Sequence, residues 1–318
     1  MSLLDGNRRA EPADLAPAAA RAGLDRLSAG ALHWIRHHLE FLDPRSAGAG
    51  LPTTPRVKAI LQLAQLCRAW ARVRPGDQGL DQVTAILREL CQQPEFAGHL
   101  AADPSYVRQY QLMYCALAPA GPDDRLRQAL LARLAADGDL ARLGRSPYLR
   151  LELRYYADLA GVSHGIESYG DLYEASVLAQ PGAGRRVTDA EACDITHTIF
   201  YLSAFGGRDP GLAAGHRERA QHIAGQLTDH YVQRDEWDLA GKFLLAQSCL
   251  GADPARTPSG MAGIQRLVQV QVRGGAIPGR SAAQRAGESA SAVEFFRKSY
   301  QATLVAALAS LIISSECA

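Results

Sequence analysis

The sequence lacks several features that would assign it directly. Its six cysteines, Cys67, Cys91, Cys115, Cys193, Cys249 and Cys317, are scattered, and no two have the two-residue spacing of a zinc ribbon or redox motif. They read as reduced thiols, which argues against a disulfide scaffold and makes the cytoplasm the expected location. Surplus charge is missing too: 34 Lys and Arg stand against 33 Asp and Glu, a formal charge of +1. No overall field draws the chain to nucleic acid or to an acidic membrane, and its arginines, spread among acids, read as solvated helix faces. The longest apolar run near the C-terminus, Leu304 to Ile313, contains Ser310. It falls short of the roughly 20 residues of a bilayer crossing, so a buried helix and no membrane association are expected. The start lacks the basic and apolar regions of a secretory signal; residues 1–20 are expected to be a disordered tail before a single all-helical domain at 21–318. Glycine-rich stretches follow no strand and carry no P-loop lysine, there is no Gly-x-Ser-x-Gly elbow, and no DxDD or DDxxD run exists. These absences argue against Rossmann and Walker nucleotide sites, an α/β-hydrolase and a terpene cyclase.

What is present is helical periodicity from end to end. Hydrophobic residues make up 47% and charged residues 21%, enough apolar material for a large core. Leu24, Leu27, Ala31, Trp34, Ile35, His38 and Leu42 form a first stripe, closed by Pro44. Further stripes fall at 56–72, 80–92, 105–117, 123–136, 147–160 and 169–179. Later ones fall at 189–205, 210–233, 236–250, 260–272 and 292–314. Ser146-Pro147 and Asp209-Pro210 read as cap-plus-proline starts, and Thr188 with Glu191 has capping-box spacing. About twelve helices with mostly short connections predict an all-α protein, an α/α toroid or an irregular helical solenoid, though no fixed-period repeat is visible. Two Gly/Ala/Ser/Pro-rich connections, 43–54 and 273–290, are long enough to be lids or linkers. The second follows Gln269 and Gln271 with Gly-Gly-Ala-Ile-Pro-Gly, a turn that resembles the inter-helix turns of α/α-toroid proteins such as terpene cyclases and lanthionine-forming cyclases.

The segment most suggestive of chemistry is Thr188 to Gly207, TDAEACDITHTIFYLSAFGG. On a helix, Asp194, His197, Tyr201 and Ala204 share one face, while Ile195, Ile199 and Leu202 take the other. His197 is a candidate general base or acid, with Asp194 or Glu152 as the carboxylate that orients it; a core histidine satisfied by a backbone carbonyl is the competing reading. In SPYLRLELRYYADLAGVSH, Glu152 and Tyr156 lie one turn apart on one face, and Arg154 and Asp158 form an i,i+4 pair on another. Arg154 is a candidate anion holder, and His164, just past the helix-stopping Gly161, a further catalytic candidate. In Arg234 to Leu239, Asp235 is the expected helix cap, with Trp237 and Asp238 as outlying binding candidates. No metal is expected. His33 and His37 have i,i+4 spacing with Glu40 on the same face, but Trp34 stands where a zincin motif needs its glutamate, and that face lies opposite the apolar stripe.

The segments LDRLSAGALHWIRHHLEFLDP, ELRYYADLAGVSH, DLYEASVLAQP and above all DITHTIFYLSAFGG resemble an uncharacterised actinobacterial family of helical proteins, a domain of unknown function often found near specialised-metabolite genes. The likeness spans most of residues 24–313, and Thr196-His197 followed by Phe200-Tyr201 is its most specific piece. Against the family pattern, Ala204 stands in place of an Asp, Lys242 in place of a Glu, and Gln301 in place of a His. The resemblance implies natural-product or antibiotic biosynthesis. With the residue reading, the expectation is an enzyme or enzyme subunit that is cofactor-independent and performs acid/base-assisted cyclisation, elimination or group displacement on a small or carrier-tethered intermediate. His197, Asp194, Glu152 and His164 would be catalytic; Tyr201, Arg154, Tyr156, Trp237, Asp238, Lys242 and Gln301 would bind substrate. A small partner subunit or a homodimer is left open. The alternative is a non-catalytic helical binding protein that has lost the family's polar site residues.

Overall fold

Helix signals are written locally in this chain and are met locally in its fold. The computed structural model describes residues 12–43, 45, 51–121, 124–136, 140, 145–180, 182, 187–279 and 291–315. Among them the chain is all-helical. The first half holds α1 (Pro12–His37), α2 (Thr53–Val73), α3 (Gln78–Gln92), α4 (Pro94–Leu100), α5 (Val107–Leu117), α6 (Arg125–Ala136) and α7 (Pro147–Ala160). The second half holds α8 (Tyr169–Glu174), α9 (Asp189–Leu202), α10 (Ala214–Gln233), α11 (Trp237–Cys249), α12 (Pro258–Val270) and α13 (Ala292–Ser315). Two 3-10 turns, Leu39–Leu42 and Val177–Ala179, complete the set.

The capping box of α9 forms as its spacing predicts: the Thr188 hydroxyl accepts the Glu191 N–H at 3.2 Å, and the Glu191 carboxylate accepts the Thr188 N–H at 2.9 Å. α7 starts at Pro147 behind Ser146, also as expected. Other starts differ. Residues 12–20 belong to α1, so the tail boundary expected at residue 20 is corrected to at most residue 11, beyond the described residues. α10 begins at Ala214 rather than Pro210, because Asp209 accepts the Gly211 N–H at 2.7 Å and Gly211 turns into the left-handed region at φ 72°. Asp235 does not cap α11. It adopts φ 57°, and Glu236 occupies the cap position.

Packing partners sort the helices into two layers. α2, α5, α7, α9, α11 and α13 each pack on the next in that order, and α13 packs back on α2, which closes a ring. The remaining helices lie outside it: α1 on α12 and α13, α3 on α2, α4 on α2 and α5, α6 on α5, α8 on α7, and α10 and α12 on α11. Inner and outer helices thus alternate along the chain, except that two outer helices, α3 and α4, separate α2 from α5. Burial follows: Leu63, Leu112, Leu151, Ile199, Leu244 and Leu311 of the inner layer are at most 1% exposed. The apolar run Leu304–Ile313 is buried within α13, and among the described residues no helix is long and apolar enough to cross a membrane. His33, His37 and Glu40 are exposed, as their face predicts.

The lid expected at 273–290 lies outside the described residues from position 280 onward. Its first part is pinned to the body. Gln271 donates to the Leu27 and Gly275 carbonyls at 3.1 Å each, and Ile277 N–H donates to the Thr303 hydroxyl at 2.9 Å. Gly275 sits at φ 94° so close to α1 that a Cβ there would collide with the Gly30 carbonyl. Residues 273–279 therefore anchor the α12–α13 connection and do not act as a lid.

Candidate functional site

Six helices around an axis leave a hollow unless their side chains fill it. Here they do not, and a cavity of about 540 Å³ lies inside the ring, walled by α2, α5, α7, α9, α11 and α13. This is the size range of small-molecule sites. Six of the chain's eleven tyrosines line it: Tyr106, Tyr110, Tyr148, Tyr156, Tyr201 and Tyr300. The wall is thus aromatic, with hydroxyl groups available on its surface.

α9 supplies His197, Phe200, Tyr201 and then Phe205 to the wall. Phe205 arrives there through a strained turn: Ala204, Phe205 and Gly206 all have positive φ, at 49°, 55° and 72°. Only glycine adopts that region without cost, so Ala204 and Phe205 each store on the order of 1–2 kcal/mol. Two arginines hold the turn. Arg72 from α2 donates to the Phe205 carbonyl at 2.7 Å, and Arg208 donates to the Leu202 and Tyr201 carbonyls at 2.8 and 2.9 Å. Both guanidinium groups face the negative end of α9, where its last carbonyls lack helical partners.

Glu152 of α7 is 8% exposed and accepts a hydrogen bond from the Tyr201 hydroxyl at 2.5 Å. Burial pushes its carboxyl up to about 7, opposed by that hydrogen bond and by the charges of Lys58 and Arg145. Burial and the neighbouring Glu152 hold the Tyr156 and Tyr201 phenols far above the usual tyrosine range. His197 lines the cavity between the rings of Tyr148 and Tyr201, at 5.8 and 6.0 Å between centroids. Burial first, and then the charges of Lys242 and Lys58, push its imidazole down to about 3. It is neutral at pH 7, and the charges that act on it are cationic. The carboxylate expected to orient it is absent: Glu152 bonds Tyr201, and Asp194, one turn nearer the start of α9, lies outside the lining.

Of the residues expected at the site, His197, Glu152, Tyr156, Tyr201, Lys242 and Gln301 line the cavity. The others do not. Asp194 is partly exposed, its carboxyl raised by burial and by Glu191. His164 is tied outside the ring: its Nδ1 accepts the Ile166 N–H at 3.3 Å, so its Nε2–H donates to Asp158 at 2.8 Å. Arg154 donates to the Ile166 and Glu167 carbonyls at 2.7 and 2.6 Å, which fastens the loop after α7 away from the cavity lining. Trp237 is buried beneath Arg266, whose guanidinium lies 5.8 Å from its ring. Asp238 stands behind Lys242 at 3.9 Å and touches the cavity only through it. Sequence reasoning missed Lys58, Gln62 and Gln65, which share one face of α2 at i, i+4 and i+7 and all line the cavity. Three polar residues at core spacing, among the apolar residues of the middle of α2, were the available signal. Among the described residues, no three His, Cys, Asp or Glu side chains come together as a metal-binding group.

Among the described residues, ring and cavity together define an all-helical protein with a tyrosine-lined pocket that holds a buried carboxyl and two lysines. The chain belongs to the family described as a domain of unknown function (DUF6895), whose profile matches residues 28–311. No curated protein and no solved structure matches it.

Proposed function

We propose that the ring cavity is the active site of a cytoplasmic enzyme, or of the larger subunit of one. It would catalyse proton-transfer-assisted cyclisation, elimination or group displacement on a small or carrier-tethered intermediate, in the specialised metabolism that the sequence resemblance implies. The observation that carries this reading is the Tyr201–Glu152 pair. A buried carboxyl with its proton balanced near pH 7, bonded at 2.5 Å to a phenol and facing an open cavity, suits a general acid or base. Glu152 takes the proton-transfer role first assigned to His197, and Tyr201 fixes the carboxyl's orientation. His197, neutral and weakly basic, serves as a hydrogen-bonding group toward the substrate. No metal or redox cofactor is needed for this chemistry.

A second reading, binding without turnover, is favoured by Lys242. Its charge helps strip His197 of basicity, and it stands where the family resemblance places a glutamate. One experiment separates the two. Purified protein is incubated with a small-molecule extract of its source cells, and the mixture is compared by untargeted mass spectrometry with the same mixture containing Glu152→Gln. Depletion of one compound and growth of another with the wild-type protein alone supports the enzyme. A compound that co-purifies with both proteins and is never converted overturns catalysis and leaves the binding protein.

A further inference from the structure

The polar groups of the cavity are not evenly distributed. Four neighbouring helices of the ring, α9, α11, α13 and α2, contribute His197, Lys242, Gln301 and Lys58 in that order. Each of these can donate a hydrogen bond, and two carry a positive charge. The other two helices, α5 and α7, contribute the tyrosines at 110, 148 and 156 together with Glu152, and Asp103 precedes α5.

Depth is graded as well. On α2 the lining passes from exposed Lys58 to buried Gln65, and it passes from exposed Tyr106, the residue that caps α5, to buried Met113. On α9 it passes from partly exposed His197 to buried Phe205 beyond its end, and on α11 from Lys242 to buried Leu245. The mouth therefore lies toward the N-terminal ends of the inner helices, where aligned peptide dipoles add positive potential to that of the lysines. The carboxyls sharing the cavity offset that charge only in part: Glu152 is largely uncharged below neutrality, and Asp103, before α5, is one acidic group against two lysines. Lys242 is engaged only by two long contacts, 3.8 Å to the Cys193 sulfur and 3.9 Å to Asp238, and both of those residues lie outside the lining.

The floor makes an independent demand. Gln65 is 6% exposed, lines the cavity, and its amide oxygen has no hydrogen-bond partner; the Gln62 oxygen one turn above is likewise buried and unpartnered. Two buried acceptors facing a hollow call for donors, which a ligand with N–H or O–H groups of its own would bring.

We infer that the ligand of this cavity is a small organic anion whose carboxylate or phosphate rests at the mouth between Lys58 and Lys242, beside Gln301 and His197. Its apolar body inserts among the aromatic rings, and a hydroxyl or N–H on that body reaches Gln62 or Gln65. The inference rests on the cavity being the site proposed above, but not on turnover there. It also orients the substrate, because an anion held on the α11–α13–α2 arc turns the molecule's far side toward Glu152 on α7.

Three probes of one shape test it with the full-length protein: 6-hydroxy-2-naphthoate, 6-hydroxy-2-naphthyl phosphate and the uncharged 6-hydroxy-2-naphthamide, followed by naphthalene fluorescence and calorimetry. At least one anion is expected to bind about tenfold more tightly than the amide. The tighter of the two shows whether the site is built for a carboxylic acid or for a phosphate such as that of a carrier arm. Lys58→Met and Lys242→Met should each weaken anion binding about three- to tenfold and leave amide binding in place. Lys242→Arg keeps the charge and should retain binding, which controls for a folding defect at this half-buried position. Removing the 6-hydroxyl should weaken every probe, and either Gln62→Leu or Gln65→Leu should erase that difference. Equal binding of amide and anions, anion binding indifferent to both lysines, or no saturable binding of any probe at millimolar concentration overturns the inference. Glu152→Gln is expected to bind the anions normally, so loss of turnover in that variant and loss of the anion site are separate results.

Discussion

Two regions of the molecule use nearly the same residue types to opposite ends. Outside the ring, His164, Asp158, Tyr169 and Arg154 form a closed knot: Asp158 accepts from His164 and from the Tyr169 hydroxyl at 2.8 Å each, and Arg208 lies 4.1 Å over the Tyr169 ring. Inside the ring, His197, Glu152, Tyr201 and Lys242 face a cavity of about 540 Å³. In the knot, partners satisfy the charges and hold the Asp158 carboxyl below its usual range. In the cavity burial outweighs the partners: it moves Glu152 up despite the Tyr201 hydrogen bond and the charges of Lys58 and Arg145, and it moves His197 down. A histidine beside a carboxylate is thus no sign of chemistry in itself. What distinguishes the functional candidate is a perturbed group next to unfilled space.

The sharpest test of this contrast is to remove one carboxyl from each region. Glu152→Gln should reduce turnover of the true substrate about 100-fold or more, the usual worth of a positioned proton-transfer group. Asp158→Asn should leave turnover within about twofold and cost about 1 kcal/mol of stability, measured by urea unfolding, since its carboxylate is partly solvated. Equal kinetic effects would break the comparison.

The next effect is on how stability depends on pH. The folded protein holds the Glu152 proton more tightly than the unfolded chain does, because the group's pKa rises from 4.5 to about 7. Its contribution is therefore complete below pH 4.5 and is lost as pH rises to about 7. His197 falls from 6.5 to about 3, so its contribution is present above pH 6.5 and is lost as pH falls toward 3. In the wild-type protein the two slopes oppose each other between 4.5 and 6.5. Each substitution should unmask the other group: His197→Gln should lose stability as pH rises through that window, and Glu152→Gln as it falls, by roughly 2 kcal/mol each. Urea melts over the window check the signs. Parallel profiles would mean that burial in the cavity shifts neither group.

The smallest effect concerns the turn that delivers Phe205. Ala204→Gly should raise stability by about 0.5–1 kcal/mol by relieving a left-handed alanine. It should also weaken binding of an aromatic probe, because Phe205 is then held less firmly. A stability loss on thermal unfolding would show that Arg72 and Arg208 tolerate only the strained form.

Much of this was legible before any coordinates. Boundaries of the long helices follow from 3.6-residue periodicity and from caps such as Thr188–Glu191. α4, at seven residues, is too short to show a period and went unread. Asp209-Pro210 looked like a helix start because the cap signal is local, whereas the left-handed Gly211 that delays the helix is not marked by it. At the site, the split of α7 into a Glu152–Tyr156 face and an Arg154–Asp158 face was readable from spacing and is how the helix sits. Which face looks inward was not. His164 and Arg154 were placed with the chemistry though they secure a loop, and Lys58 and Gln65 were passed over though they line the pocket.

The division has a physical cause. A helix is stabilised by bonds and side-chain contacts within four residues, so its existence, its ends and the residues on each of its faces are properties of a short stretch of sequence. A cavity belongs to no single helix. It exists because α13 packs back on α2 and closes the ring, and only that long-range contact determined which faces enclose the void and which carboxyls and lysines line it together.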